Sequence, residues 1–224
     1  GTYTVLTGEL FGYQTLGYGI TAVSRENMTA LPYGVETSGA ITVPGGEDVY
    51  SVPATAGDRL FVRMGGQYLP DPELELYSQT GTLLATNWSP SGLYRAEISV
   101  TVPETGTYRI IAKSHGISTD SYGIIAQRLN APENATALPW NTETAGTISY
   151  GGCMDTYTVS ATAGEDLQIR VGSGASPDLI LFGPDGSELA RNTSSHIGIV
   201  FVTAPTTGTY TVLTGELFGY QTLG

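Results

Sequence analysis

The chain has 224 residues, of which 40% are hydrophobic, only 13% are charged and 30 are Gly. Nine basic residues face 21 acidic ones, a net charge of −12, which removes the electrostatic basis for nucleic-acid binding or a polybasic membrane patch. The apolar fraction excludes a disordered chain, no apolar run approaches the roughly 20 residues of a membrane-spanning helix, and the length suits one large domain or two small ones.

The chain opens on Gly1-Thr2-Tyr3-Thr4, already strand-like and without a signal peptide, as expected of a processed secreted chain or an internal fragment. Residues 1–17, GTYTVLTGELFGYQTLG, recur without one change at 208–224, an offset of 207 residues. The sequence therefore reads as a window slightly longer than one period of a 207-residue repeat. Residues 18–22 (YGITA) parallel 122–126 (YGIIA), so 1–26 are expected to be the terminal strands of a repeat unit whose body lies elsewhere.

A weaker repeat lies inside the first. Asn27–Pro32 (NMTALP) matches Asn134–Pro139 (NATALP), Asp48–Val52 (DVYSV) matches Asp155–Val159 (DTYTV), and ATAG at 54–57 returns at 161–164. Pro72–Leu76 (PELEL) matches Pro177–Leu181 (PDLIL), and Gly106-Thr107-Tyr108 matches Gly208-Thr209-Tyr210. The domain reading is a tail at 1–26, repeat A at 27–133, and repeat B at 134–224 without its last strand.

Apolar residues alternate with period two at Leu60-Val62-Met64, Leu74-Leu76, Ile98-Val100-Val102, Leu167-Ile169-Val171 and Leu179-Leu181, the signature of half-buried strands. Turn signals separate them at Pro44-Gly45-Gly46, Gln79-Thr80-Gly81, Glu104-Thr105-Gly106 and Pro184-Asp185-Gly186. No helix is expected. The fold class is all-β: tandem antiparallel β-sandwich modules, jelly-roll or Ig-like, of seven to nine strands each. The short, Pro-bearing linker Asn130–Glu133 makes the modules semi-rigid neighbours.

The ordered series in repeat B is Asp155-Thr156-Tyr157, Ala163-Gly164, Leu167-Gln168-Ile169, Asp178–Leu181, Pro184-Asp185-Gly186 and Gly208-Thr209-Tyr210. Repeat A carries Asp48-Val49-Tyr50, Ala56-Gly57, Leu60-Phe61-Val62, Glu73–Leu76, Thr80-Gly81 and Gly106-Thr107-Tyr108. Both series resemble the pre-peptidase C-terminal (PPC) domain family, in two tandem copies. The resemblance implies secreted, non-catalytic β-sandwich modules appended to peptidases or present in cell-surface proteins, some of which bind calcium or extracellular polymers. Repeat A departs at Glu73 and Thr80, where B has Asp178 and Asp185, so a carboxylate metal site shared by both modules does not follow.

Four N-x-[ST] sequons, at Asn27, Asn87, Asn134 and Asn192, fall at equivalent places in the two repeats and are the candidate glycosylation sites of an extracellular chain. Asp178, Asp185 and Glu188 lie close together, and oxygen-rich loops suit calcium. EF-hand spacing is absent, however, and an Asp-Gly turn explains Asp185 without metal, so no metal or other cofactor is expected. His115 and His196 occupy non-equivalent positions and suggest no zinc site. No G-x-S-x-G or Cys-His pattern marks a nucleophile, and the chain is not expected to be an enzyme. The single cysteine, Cys153, sits after Gly151-Gly152 and reads as an incidental turn residue. Tyr50, Tyr108, Tyr157 and Tyr210 recur at equivalent strand positions, as core or corner tyrosines with hydroxyls reaching the backbone. Tyr13, Tyr68, Tyr94 and Tyr220 have interface or ligand stacking as their alternative to packing. Eight of the nine basic residues are Arg, which suits subunit contacts.

The expected function is that of a non-catalytic extracellular structural repeat protein at a prokaryotic cell surface, forming or decorating a filament, sheath or stalk. Its partner would be itself, in a tandem array or a head-to-tail polymer. Strand exchange through Tyr18, Ile20 and Ala22 is the candidate device. The alternative is a substrate- or polysaccharide-binding accessory module of a secreted enzyme.

Overall fold

The computed structural model describes residues 24–89 and 93–223, with Thr2, Thr4, Val5, Ile20 and Ala22. Among the described residues there are sixteen strands and no helix. Module A holds β1 (Thr29–Ala30), β2 (Thr37–Ile41), β3 (Glu47–Ala54), β4 (Arg59–Gly65), β5 (Pro72–Tyr77), β6 (Leu83–Trp88), β7 (Arg95–Thr101), β8 (Gly106–Ser114) and β9 (Asp120–Arg128). Module B holds β10 (Thr136–Ala137), β11 (Met154–Ala161), β12 (Asp166–Gly172), β13 (Pro177–Phe182), β14 (Glu188–Thr193), β15 (Ile197–Thr203) and β16 (Gly208–Glu216).

Each module is two sheets. Sheet I runs β1-β3-β8-β5-β6 and sheet II runs β2-β9-β4-β7 in module A; sheet III runs β10-β11-β16-β13-β14 and sheet IV is β12-β15 in module B. Sheets I and III have the same strand order, down to the two-residue parallel edge strands β1 and β10; every other pairing of named strands is antiparallel. Sheet IV differs from sheet II. In module A, β4 lies between β7 and β9; in module B, β12 pairs with β15 alone among the described residues, none of which pairs with its other edge. The stretch corresponding to β2, at 144–148, belongs to no named strand; Ile148 bridges Leu223 and packs in the core between the modules.

The alternating residues fill each sandwich as the sequence predicts. Leu60, Val62, Met64 and Ile98 of sheet II meet Val52, Leu74, Leu76 and Ile110 of sheet I. Leu167, Ile169 and Val200 of sheet IV meet Leu179, Leu181 and Val212 of sheet III. A third apolar core lies between the modules, where Phe61 and Ile125 of sheet II meet Met154, Ile180, Phe182 and Leu213 of sheet III. The molecule is thus four sheets deep, in the order I, II, III, IV. The modules share a hydrophobic seam rather than hanging on the Asn130–Glu133 linker. Cys153 belongs to that seam and is fully buried, with Ile148 and Leu129. Its position is set by packing, not by the turn it follows.

Candidate functional site

The seam is built from the outward residues of two strands that each alternate. On β4 the positions between Leu60, Val62 and Met64 are Phe61 and Arg63; on β13 the positions flanking Leu179 and Leu181 are Asp178, Ile180 and Phe182. Phe61 meets Phe182 edge-on at 6.4 Å between ring centroids. Arg63 and Asp178 both have side chains without exposed surface, and Arg63 Nη1 donates to Asp178 Oδ2 at 2.9 Å. Its Nη2 donates to the Glu216 carbonyl. Arg191 donates to Asp178 through Nε at 2.8 Å and reaches Glu97 through Nη1 at 2.8 Å. Arg95 adds a 2.7 Å bond to Glu97 and lies 3.3 Å from Asp178.

Three guanidinium groups and two carboxylates from both modules therefore share one cluster, with Arg63 and Asp178 buried at its centre and Arg95, Glu97 and Arg191 partly exposed around them. Burial, with Arg95 beside it, pushes the Arg63 guanidinium down to about 10. Burial works to raise the Asp178 carboxyl, but the Arg191 hydrogen bonds and the charge of Arg63 outweigh it and hold Asp178 below the usual carboxylate range. Arg191 is raised: burial works against its charge, and the Asp178 and Glu97 bonds more than offset this. The Arg-rich composition finds its use here, because planar forks suit buried pairs better than lysine.

Glycine lets the backbones meet beside this cluster. A Cβ on Gly152, which has φ +87°, would lie 2.1 Å from Gly65 N, and one on Gly123 would lie 2.6 Å from the Gly151 carbonyl. The Gly123 amide donates to the Gly151 carbonyl and the Tyr94 amide to the Phe218 carbonyl. Tyr94 and Tyr220 close the rim edge-to-face at 5.4 Å.

Two sheet faces remain outside the stack. On sheet I, Glu73 and Glu75 flank Lys113, whose Nζ donates to Glu75 at 2.5 Å and lies 3.4 Å from Glu73. Tyr77 takes the charge of Arg25 over its ring. His115 bonds Glu73 at 2.9 Å and stacks on Trp88 at 4.1 Å. On sheet IV, Phe201 is 70% and Ile197 52% exposed, with Arg170 and Gln168 exposed alongside.

The residues singled out from sequence divide as follows. Asn27, Asn87 and Asn134 are exposed and Asn192 is half-buried. The Asn134 side-chain amide donates to the Tyr33 carbonyl at 2.8 Å, which ties up the nitrogen a glycan would need. Asp178 serves the ion cluster and Asp185 accepts from the Ser187 amide and hydroxyl, so these two carboxylates of the weighed calcium trio are engaged elsewhere. Among the described residues no three His, Cys, Asp or Glu side chains converge as a metal site would. Tyr108 and Tyr210 donate to the Glu104 and Thr206 carbonyls, each at 2.5 Å, as corner tyrosines do. Tyr50 and Tyr157 depart from that expectation: their hydroxyls bond Tyr122 and Asp155 side chains, at 2.8 and 3.3 Å, rather than the backbone. Tyr13 and Tyr18 lie outside the described residues; Ile20 and Ala22 are exposed and belong to no strand. The ion cluster is what sequence reading missed, although Asp178, Ile180 and Phe182 interleaved with Leu179 and Leu181 already mark a strand covered on both faces.

Residues 154–213, from the first residue of β11 into β16, match the family model of the bacterial pre-peptidase C-terminal domain. The match lies within module B. Pre-peptidase C-terminal domains are non-catalytic accessory domains of secreted proteases and occur mainly in secreted proteins. Sheet I of module A repeats the strand order of sheet III, the sheet that carries most of the matched segment. Among solved structures, the pre-peptidase C-terminal domain of a Bacillus anthracis collagenase is 12% identical, covers 45% of this chain and 95% of its own, and has a TM-score of 0.40. The PBSX exported protein XepA is 14% identical over 91% of this chain and 89% of its own, with a TM-score of 0.27. No curated protein matches the chain.

Proposed function

We propose that the chain is a non-catalytic, extracellular structural repeat protein that forms or decorates a prokaryotic surface filament, sheath or stalk. The observation that carries this reading is the edge of β12 that is left unpaired among the described residues. Module A fills the corresponding edge of β4 with β9, and the sequence repeats that strand at 18–22, directly after the segment 1–17 that also ends the chain. Residues 18–23 of a neighbouring unit would complete sheet IV by strand addition, either along one covalent array or between separate chains. A heterologous, head-to-tail contact of this kind propagates instead of closing. The candidate glycans at Asn27 and Asn87 would stand on exposed positions beside sheet edges.

The test is the mass of the native polypeptide under denaturing, reducing conditions, read beside negative-stain images of the source. Filaments are expected, built either from polypeptides of many repeat masses or from single-repeat chains. Dispersed single particles of one repeat mass would sink the reading. A second reading, an accessory module holding polymeric substrate for a secreted enzyme, draws on the family's occurrence in secreted proteases and on the half-exposed Trp88–His115 stack. Trp88→Ala would then weaken retention on a polysaccharide column and leave assembly unchanged.

A further inference from the structure

The seam between sheets II and III has a counterpart in the two faces left outside the stack. By strand alignment, β12 corresponds to β4, so Arg170 stands where Arg63 does and Gly172 where Gly65 does. Likewise β5 corresponds to β13, so Glu73 stands where Asp178 does, and Gly45 in the turn before β3 stands where Gly152 does before β11. The buried charge pair and the close-approach glycines of the internal seam therefore have counterparts, one half on sheet IV and the other on sheet I, while Phe61, Ile180 and Phe182 give way to Gln168, Glu75 and Tyr77.

The correspondence extends to what has changed. Arg191 and Glu97 bond each other across the internal seam; their counterparts are Thr86 and Ile199, so cation and anion vanish together. Arg63 and Asp178 bond each other, and their counterparts Arg170 and Glu73 keep both charges. Arg170 forms no ion pair among the described residues, whereas Glu73 and Glu75 share Lys113; Arg170 would bring this group to two cations and two carboxylates. The glycines agree. A Cβ at Gly152 would strike Gly65, yet at Gly172 and at Gly45 nothing lies within 4 Å. The bare backbone that a close approach needs is in place at both, with no neighbour to use it. Ile197, Ile199 and Phe201 supply apolar area on sheet IV, to be met by Tyr77 and the Trp88–His115 stack on sheet I.

We propose that the outer face of sheet IV docks on the outer face of sheet I of a second copy of this chain, with Arg170 on Glu73 and Gly172 against Gly45, in the geometry by which sheet II meets sheet III. This rests on the head-to-tail reading above and names the surface that performs it. The connection in module A supports it: β9 of sheet II leads through a short link into β10 of sheet III, as residues 18–24 lead into β1 of sheet I. The copy that donates a strand to sheet IV thus also presents the sheet that covers it.

The test follows the association of the 224-residue chain by sedimentation, against concentration and salt. The wild type should associate, more weakly as salt screens the pair. Arg170→Glu and Glu73→Arg should each weaken association by about tenfold or more, since each sets like charges opposite one another. An equimolar mixture of the two variants should associate again, because each supplies the face the other has reversed. Gly172→Leu, placed in open space, should keep the wild-type melting temperature and lose association. A wild-type chain that stays monomeric, an Arg170→Glu or Gly172→Leu chain that associates like wild type, or a mixture that fails to recover would each overturn the proposal. Native filaments alongside any of these results would leave the filament reading standing and remove only this surface; a source with dispersed single-repeat particles would remove the filament reading whatever the variants do.

Discussion

Arg63 and Asp178 are two charges with no exposed side-chain surface, each contributed by a different module. Desolvation of such a pair is repaid only when the remaining hydrogen-bonding capacity is satisfied, and removing one partner leaves the other stranded at a cost of about 3–5 kcal/mol. Arg63→Met should therefore destabilise the chain by about that much in urea melts, whereas Arg63→Met with Asp178→Leu should recover much of the loss. The pair also fixes an acid sensitivity. The Asp178 carboxyl lies below its ordinary value in the folded chain, so its stabilising contribution is complete above the unfolded value of about 3.9 and is lost as pH falls towards the folded one. The melting temperature should drop on acidification below about pH 4, and Asp178→Asn should flatten that part of the profile from a lower starting stability. Cys153 offers a third check. Burial pushes its thiol up to about 12, so thiol reagents at neutral pH should leave the folded protein unlabelled and modify it once denatured.

At the scale of strands, β4 and β12 share sequence pattern and partner topology on one side only. The β4 amides are held between two neighbours, while those on the open edge of β12 have none among the described residues. Amide exchange should be fast on that edge of β12 and slow throughout β4, and a peptide of residues 16–26 added in trans should protect the β12 amides alone. This element also shows what the sequence could convey. Period-two alternation marks the inner face of every long strand, and Leu60, Val62, Met64, Leu167 and Ile169 all point inward as expected. Alternation is silent about what covers the other face. Arg63 on β4 and Arg170 on β12 sit in nearly the same local sequence, MG or VG following, yet one is fully buried and the other exposed. The difference lies in a neighbouring sheet far along the chain, and no local signal encodes it. The near-continuous apolar run of β13 was the one visible sign that a strand is packed on both sides. The Gly151-Gly152 pair reads as a turn because nothing local tells that two backbones meet there.

For the whole molecule, the seam core of Phe61, Ile125, Ile180, Phe182 and Leu213 joins two sandwiches into one folding unit. Calorimetry should show a single transition for the chain, with agreement between calorimetric and van't Hoff enthalpies. Gly152→Val, which places a side chain where Gly65 N already sits and strains a φ of +87°, should split it in two. The semi-rigid linkage expected from Asn130–Glu133 is thus superseded by a broad apolar contact, which the linker merely accompanies.

The four layers present different chemistries to a neighbour: the apolar, guanidinium-laced side of sheet II, its acid-bearing complement on sheet III, and the mixed polar and apolar outer sides of sheets I and IV. Exchanging A for B anywhere in such a row would set Glu75 and Lys113 against Phe61, or leave Phe182 facing Gln168 and Arg191 facing Ile199. A gene lengthened one module at a time would produce such mismatches at every step. Lengthening by whole pairs preserves both kinds of contact, and the period at which this sequence repeats letter for letter is the pair. Under the proposed docking, the heritable unit of growth is set by which surfaces can touch.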